Sequence, residues 1–309
     1  MKEQTIAVLL PCFNEAGAVG KTVADFQLAL PSATIYVYDN NSTDNTVNEA
    51  LQAGAIVRHE PRQGKGEVVR RMFSDIDADI YVMADGDDTY DASICPELID
   101  QLNNEKLDMI IGSRERTSMA YPKGHILGNK MFSSLINLAF NAQLNDVFSG
   151  YRIMSHRFVK TVPIFSDGFQ IETELTVHAL HHNMSIKEVP TKYHSRPEGT
   201  ASKLNTLSDG IKILNFILFL LRDVKPMIFF GVLSVLLCFI SLGLGIPVIL
   251  DFIDTGLVER VPTAILSSSI ALIAVMSFFC GLILDNVSRG RREMRILSIL
   301  RSHDHKLSK

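Results

Sequence analysis

No tryptophan occurs in this sequence, and neither sign of charge prevails. The 30 Lys and Arg stand against 34 Asp and Glu, a formal net charge of −4 with a pI near 6.1. That balance argues against a chain built to grip nucleic acid, and none is expected as a partner. Only four cysteines are present, Cys12, Cys95, Cys238 and Cys280, with no CxxC pair and no metal-ligand spacing. Reduced thiols in a reducing cytosol are the expectation. Gly64-Lys65-Gly66 lacks the spacing of a P-loop and no GxGxxG occurs, so two common phosphate-cradling loops are absent. Residues 1–5 lead straight into a strand-like run, and no secretory leader is expected. Charged residues are scarce as well, 21% against 47% hydrophobic, which excludes disorder.

The apolarity is unevenly placed. Mean hydropathy is +0.16, high for a soluble enzyme, and the excess lies in the last third. Residues 226–250 and 261–284 are uncharged throughout. Each run is roughly as long as the 20 residues that cross a bilayer core as helix. Gly231, Gly243, Gly245 and Pro247 within them fit membrane helices better than a soluble core. The connector 251–260 carries Asp251, Asp254 and Glu259 against a single Arg. Arg222 and Lys225 precede the first run, and Arg289, Arg291, Arg292 and Arg295 follow the second. The positive-inside rule then places both termini in the cytoplasm and the connector outside. Residues 205–225, with Ile211, Leu214, Ile217, Leu218 and Leu221 on one face, are expected as an interfacial amphipathic helix. Residues 286–309 are expected as a basic cytoplasmic tail.

Residues 1–204 form a separate body. Strand-like runs at 5–10, 34–38, 55–58, 80–83 and 109–111 alternate with helix-compatible stretches at 15–29, 43–53, 65–76 and 93–103. That rhythm predicts an α/β domain with a mainly parallel, Rossmann-like sheet, which binds ligands at the carboxyl ends of its strands. The first strand ends in Pro11-Cys12-Phe13-Asn14-Glu15 and the second in Asp39-Asn40-Asn41-Ser42-Thr43-Asp44. Both runs supply acceptors for sugar hydroxyls and base N–H groups, and both also suit helix capping.

The fourth strand ends in Asp85-Gly86-Asp87-Asp88-Thr89. Three carboxylates within four residues repel one another unless a cation lies among them, and hard oxygen ligands select Mg²⁺ or Mn²⁺. An EF-hand fails because Tyr90 stands where its glycine must be.

In this order, PCFNE, DNNSTD, GKG, DGDD and GSR resemble the family-two inverting glycosyltransferases of the GT-A fold. Downstream, Asp146-Val147-Phe148-Ser149-Gly150-Tyr151-Arg152, Phe169-Gln170-Ile171-Glu172, Glu188-Val189-Pro190 and the run from Arg196 to Leu204 resemble the polyprenyl-phosphate (undecaprenyl- or dolichyl-phosphate) hexosyltransferases with two C-terminal spans. The resemblance implies that Pro11, Asn14, Glu15, Asp39, Asn41, Gly64, Lys65 and Asp85 line the nucleotide-sugar pocket, Asp39 touching base or ribose. Asp85 and Asp87 would hold the metal on the donor diphosphate. Arg114, Arg152, Arg196 and Lys203 would face the donor and acceptor phosphates, with Lys123 and Ser202 on the acceptor side. Lys123 and His125 stand where relatives often carry an Arg. Asp146, Glu172 and Glu174 are candidate orienting carboxylates, or partners of nearby Arg and Lys. His178, His181 and His182 are expected on a solvated helix face, since no HExxH accompanies them.

The expected reaction follows from charge. A lipid monophosphate is largely a dianion at neutral pH and needs neutralisation more than a general base. The expected activity is transfer of a hexose, from a UDP-sugar in preference to a GDP-sugar, to a polyprenyl phosphate with inversion. The expected site is the cytoplasmic face of the inner (plasma) membrane, for cell-envelope glycan modification. A homo-oligomer is compatible with the sequence. A processive polysaccharide synthase is excluded, because its QxxRW motif requires the missing tryptophan. Two rivals remain, a transferase using another lipid or glycan acceptor and a non-catalytic nucleotide-sugar-binding membrane protein. The second has no need of both a metal site and a basic set.

Overall fold

In a computed structural model of the chain, the described residues are 4–114, 123–168, 170–194, 215, 218, 219 and 221–307, excluding the side chains of 123–128, 130, 131, 292 and 295–307. Two compact units divide at residue 215/216, inside the expected interfacial segment rather than at 204. Most of that segment lies outside the described residues.

The first unit is built on seven strands: β1 (Ile6–Cys12), β2 (Thr34–Asp39), β3 (Ile56–His59), β4 (Ile80–Met83), β5 (Met109–Arg114), β6 (Arg152–Ser155) and β7 (Ile186–Thr191). Helices α1 (Val19–Ala29), α2 (Thr46–Gln52), α3 (Lys65–Asp75), α4 (Cys95–Asn104), α5 (Lys123–Phe140), α6 (His156–Thr161) and α7 (Ile171–His181) connect them. The sheet order is β3-β2-β1-β4-β6-β5-β7. Val8, Leu10, Val37 and Val82 join Phe26 and Leu98 in one buried cluster, while Ala7 and Leu9 of the same strand are buried too. Central strands apolar on alternate and intervening positions are those covered by helices on both faces.

The expected α/β sheet is present, and β4 falls at the expected residues. Two strands were not expected. Strand β6 runs antiparallel to both β4 and β5 and lies between them. Strand β7 pairs in parallel with β5 at the edge of the sheet, where Pro190 is tolerated. Because β6 is reversed, the residues before it, 146–151, arrive at the same end of the sheet as the residues after β1, β2 and β4.

The second unit is a pair of long helices, α8 (Pro226–Thr255) and α9 (Val261–Leu307). Helix α8 overruns the expected boundary at 250 and stops at Gly256, whose left-handed φ of 72° lets its N–H reach the Phe252 carbonyl. The connector therefore shortens to 256–260, and the expected tail continues α9 as helix. Ser241 and Ser267 each donate a 2.9 Å hydrogen bond to the other's backbone carbonyl. A Cβ on Gly245 would lie 2.6 Å from the Ser267 hydroxyl, so glycine there permits the close approach. Residues Pro226–Thr255 and Val261–Arg291 are each long and apolar enough to cross a membrane, their apolar stretches having mean hydropathies of 2.6 and 2.2 with few residues buried. A hairpin serving as the core of a soluble protein would hide those side chains.

Candidate active site

The first two loops are laced together at the carboxyl ends of β1 and β2. The backbone N–H of Asn14 donates to the Ser42 hydroxyl at 2.9 Å, and Asn14 Oδ1 accepts from the Thr43 N–H at 2.7 Å. The N–H of Glu15, itself buried, donates to the Thr46 hydroxyl at 2.8 Å. Asn14 and Asn41 sit at positive φ, 53° and 66°, a conformation asparagine tolerates. Asn41 Nδ2 donates to the Pro61 carbonyl and Gln63, so both asparagines, expected along the pocket, brace loops with their side chains. Pro11 lies within β1, opposite Tyr38 in the register.

Asp39 ends β2. Its carboxylate accepts the Ser42 N–H on both oxygens, at 3.2 and 3.3 Å, and Oδ2 lies 3.1 Å from His59 Nδ1. Strand register puts His59 directly beside Asp39 on β3.

Lys65 opens α3, and its ammonium is enclosed by two carboxylates. It pairs with Asp85 and, at 2.6 Å, with Glu172 Oε1 of α7. Burial opposes the charge, but Asp85 and Glu172 outweigh it and hold the ammonium well above the ordinary lysine range. The seat is close-packed backbone. A Cβ on Gly66 would lie 2.0 Å from the Ser166 carbonyl oxygen, and one on Gly64, at φ +134°, 2.1 Å from that of Asp167. The Gly66 N–H donates to the Asp167 carbonyl at 3.0 Å. Glu174 fixes this loop by accepting the N–H groups of Phe165 and Ser166 and the Ser166 hydroxyl. Burial of Glu174 opposes its ionisation, yet His178 at 3.5 Å and the hydrogen bonds from Ser166 and Phe165 hold its carboxyl below the usual range. Glu174, expected as an orienting carboxylate, therefore orients a loop.

The acidic turn divides its labour. Asp87 is buried, and its Oδ1 accepts the Thr89 hydroxyl at 2.6 Å. Asp85 is partly exposed beside Lys65. Asp88, at φ 58°, turns away to pair with Lys21 at 2.7 Å, so the three carboxylates do not converge. Both sides are tight: a Cβ on Gly86 would meet Cys12 Sγ at 2.3 Å, and one on Gly150 would crowd the Asp85 carboxylate at 3.0 Å. Among the described residues no group of three or more His, Cys, Asp or Glu side chains could hold a metal ion. Two strand-end carboxylates still fit the Mg²⁺ mode, in which one or two acids share the ion with substrate phosphates and water.

Arg114 ends β5 and forms a two-point fork with Asp146, Nε to Oδ2 and Nη2 to Oδ1, each 2.6 Å. Asn129 donates to the same carboxylate at 2.9 Å, and the guanidinium lies 5.7 Å from the Tyr193 ring centroid. Burial opposes ionisation of Asp146, but Arg114 and Asn129 outweigh it and depress the carboxyl. The stability this depression contributes is complete above the unfolded value, about 4, and is lost as pH falls through the lower folded value. The Tm difference between wild type and Asp146→Asn is therefore expected to be largest near neutrality and to shrink below about pH 4. A difference constant across that range would refute the linkage.

Arg152 is not at the phosphates. It is fully buried, and its guanidinium donates to the carbonyls of Val147, Ser149 and Glu172 and to the Thr176 hydroxyl. It pins the reversed strand to α7, and burial lowers its pKa to about 10. Of the histidines, His178 differs from expectation, whereas His181 and His182 are partly exposed. His178 is buried, stacks on His182 at a 6.2 Å centroid distance, and lies 3.5 Å from Glu174. Helix α7 is buried from Ile171 to Ala179, so its face is not solvated at His178. Arg196, Ser202 and Lys203, and the side chains of Lys123 and His125, lie outside the described residues. Sequence reasoning allowed Glu172 a basic partner without identifying Lys65, and it missed His59. The first had a signal, an apolar helix carrying two acids in its first turn, and the second had none.

A family model described as "Glycosyl transferase family 2" matches residues 7–162. Glycosyltransferase AglJ of Haloferax volcanii is 29% identical over 291 residues, 93% of this chain and 95% of that one. A dolichyl-phosphate hexose transferase of the same organism is 27% identical over 209 residues, 67% of this chain and 90% of that one. Among solved structures, glucosyl-3-phosphoglycerate synthase from Mycobacterium tuberculosis, in complex with Mn²⁺ and UDP-glucose, superposes with a TM-score of 0.58 at 21% identity. That likeness covers 72% of this chain and 79% of that one.

Proposed function

Because the chain belongs to glycosyl transferase family 2 and carries its GT-A fold, we propose that it transfers a hexose from a nucleotide sugar, preferably a UDP-sugar, to a polyprenyl phosphate. The carrying observation is the convergence of Asp39, Lys65, Asp85, Asp87 and Arg114 at one end of the sheet, in a chain that continues into two bilayer-length apolar helices. A phosphate oxygen of the acceptor attacks the anomeric carbon, the bond to the diphosphate breaks, and the nucleoside diphosphate leaves with inversion at that carbon.

Each residue then has a task. Asp39 receives the base. Asp85 and Asp87 would hold Mg²⁺ or Mn²⁺, which when bound neutralises charge on the donor diphosphate. Glu172 gives Lys65 a second anionic partner, so the ammonium keeps its place whatever Asp85 binds. Arg114, aimed by Asp146, presents a planar fork that matches phosphate. Arg196, Ser202, Lys203 and Lys123 belong to the acceptor side of this reading. Membranes containing the protein, supplied with radiolabelled nucleotide sugars and undecaprenyl phosphate, are expected to yield a labelled lipid extractable into organic solvent. Label transferred only to a water-soluble acceptor would overturn the reading.

The proposed location is the plasma membrane, with both termini and the catalytic unit cytoplasmic. The basic residues at the outer ends of α8 and α9 support it. With Cys12, Cys95, Cys238 and Cys280 replaced, Thr255→Cys should react with an impermeant maleimide on intact cells, and Ser308→Cys should react only after permeabilisation. The reverse pattern would place the nucleotide-sugar site on the wrong side.

A further inference from the structure

We propose that His59 sets the base preference of the nucleotide pocket, selecting uracil over guanine by occupying one oxygen of Asp39. The inference rests on the nucleotide-sugar reading and concerns the chemical class of the donor.

A carboxylate is acceptor-only and offers about four lone-pair positions. Since Asp39 cannot donate, the proton between it and His59 resides on His59 Nδ1. Asp39 Oδ2 accepts this Nδ1–H, at 3.1 Å, and also shares the Ser42 N–H, at 3.3 Å, with Oδ1, so it is the more heavily committed oxygen. Among the described residues Oδ1 accepts only its share of the Ser42 N–H, at 3.2 Å, so it is the oxygen open to a further donor. Asp39 is 4% exposed, and among the described residues no Lys or Arg pairs with it. A buried anion in that state gains from one more donor.

The two candidate bases differ on this point. Uracil presents one N–H, at N3, between two carbonyl oxygens. Guanine presents two adjacent donors, N1–H and the N2 amino group, which demand a carboxylate with both oxygens free. With Oδ2 committed to His59, Asp39 meets uracil's single donor and leaves one of guanine's unsatisfied. His59 is half-exposed at the end of an edge strand, so its replacement leaves the core untouched.

The test titrates UDP and GDP into the full-length, detergent-solubilised protein with Mg²⁺ by calorimetry. Wild type is expected to bind UDP more tightly than GDP, and His59→Ala to narrow that ratio by about tenfold, chiefly through tighter GDP binding. An unchanged ratio in His59→Ala, with wild type still preferring UDP, overturns this inference and leaves the proposed function standing. Wild type preferring GDP overturns it as well. Binding of neither nucleotide by wild type sinks the inference together with the donor reading.

Discussion

Asp87→Asn is expected to lower hexose transfer by at least about a hundredfold while leaving the melting temperature unchanged. The carboxylate is buried at the end of β4, and its Oδ1 accepts the Thr89 hydroxyl at 2.6 Å. The amide oxygen of asparagine can keep that bond, so the turn retains this anchor while the anionic charge is removed. Charge is what the proposed role requires, because Asp85 and Asp87 would hold a divalent ion as anionic ligands. Transfer assays, thermal melts and Mn²⁺ titration on the same preparation check it. Full activity of the variant in EDTA-treated membranes would remove the metal from the account.

Arg152→Met is expected to destabilise the first unit by about 3 kcal/mol or more, because it strands buried acceptors that share one guanidinium. Three carbonyls and a hydroxyl lose their donor at once, and water cannot replace it in a pocket where the arginine is fully buried. For a unit of this size the melting temperature should fall by roughly 6–12 °C. A variant that melts like wild type but no longer transfers would restore Arg152 to the phosphates.

These two residues mark what the sequence discloses and what it withholds. The acidic turn is legible because an apolar strand running straight into Asp85-Gly86-Asp87 has few other uses at a sheet end. The strand before it is legible to the residue, since four successive buried positions, Ile80 to Met83, leave helix and loop no room. Strand β6 begins with Arg152 and is only four residues long, too short to show a period. Strand β7 sets the charged pair Lys187 and Glu188 before the apolar pair Val189 and Pro190, with no period of two, at an edge where burial imposes no pattern. Lys65 illustrates the harder limit. Its motif is visible, but its second partner, Glu172, lies over a hundred residues away, and only the packed backbone of the glycines at 64 and 66 brings them together. His59 has no pattern at all, because its meaning comes from strand register.

The contact between Gly66 and the Ser166–Asp167 backbone also orders events on the ribosome. Strands β1, β2 and β4 and the helices between them can pair as soon as they emerge. The lysine seat cannot form until Ser166, Asp167 and Glu172 have been made, and it cannot be braced until Glu174 follows. A nascent chain halted shortly after β6 would hold most of its sheet with Asp85 and Lys65 close in sequence terms but without the wall that fixes them. Chain synthesis thus assembles the framework first and the lysine seat last, after every strand but β7 has been made.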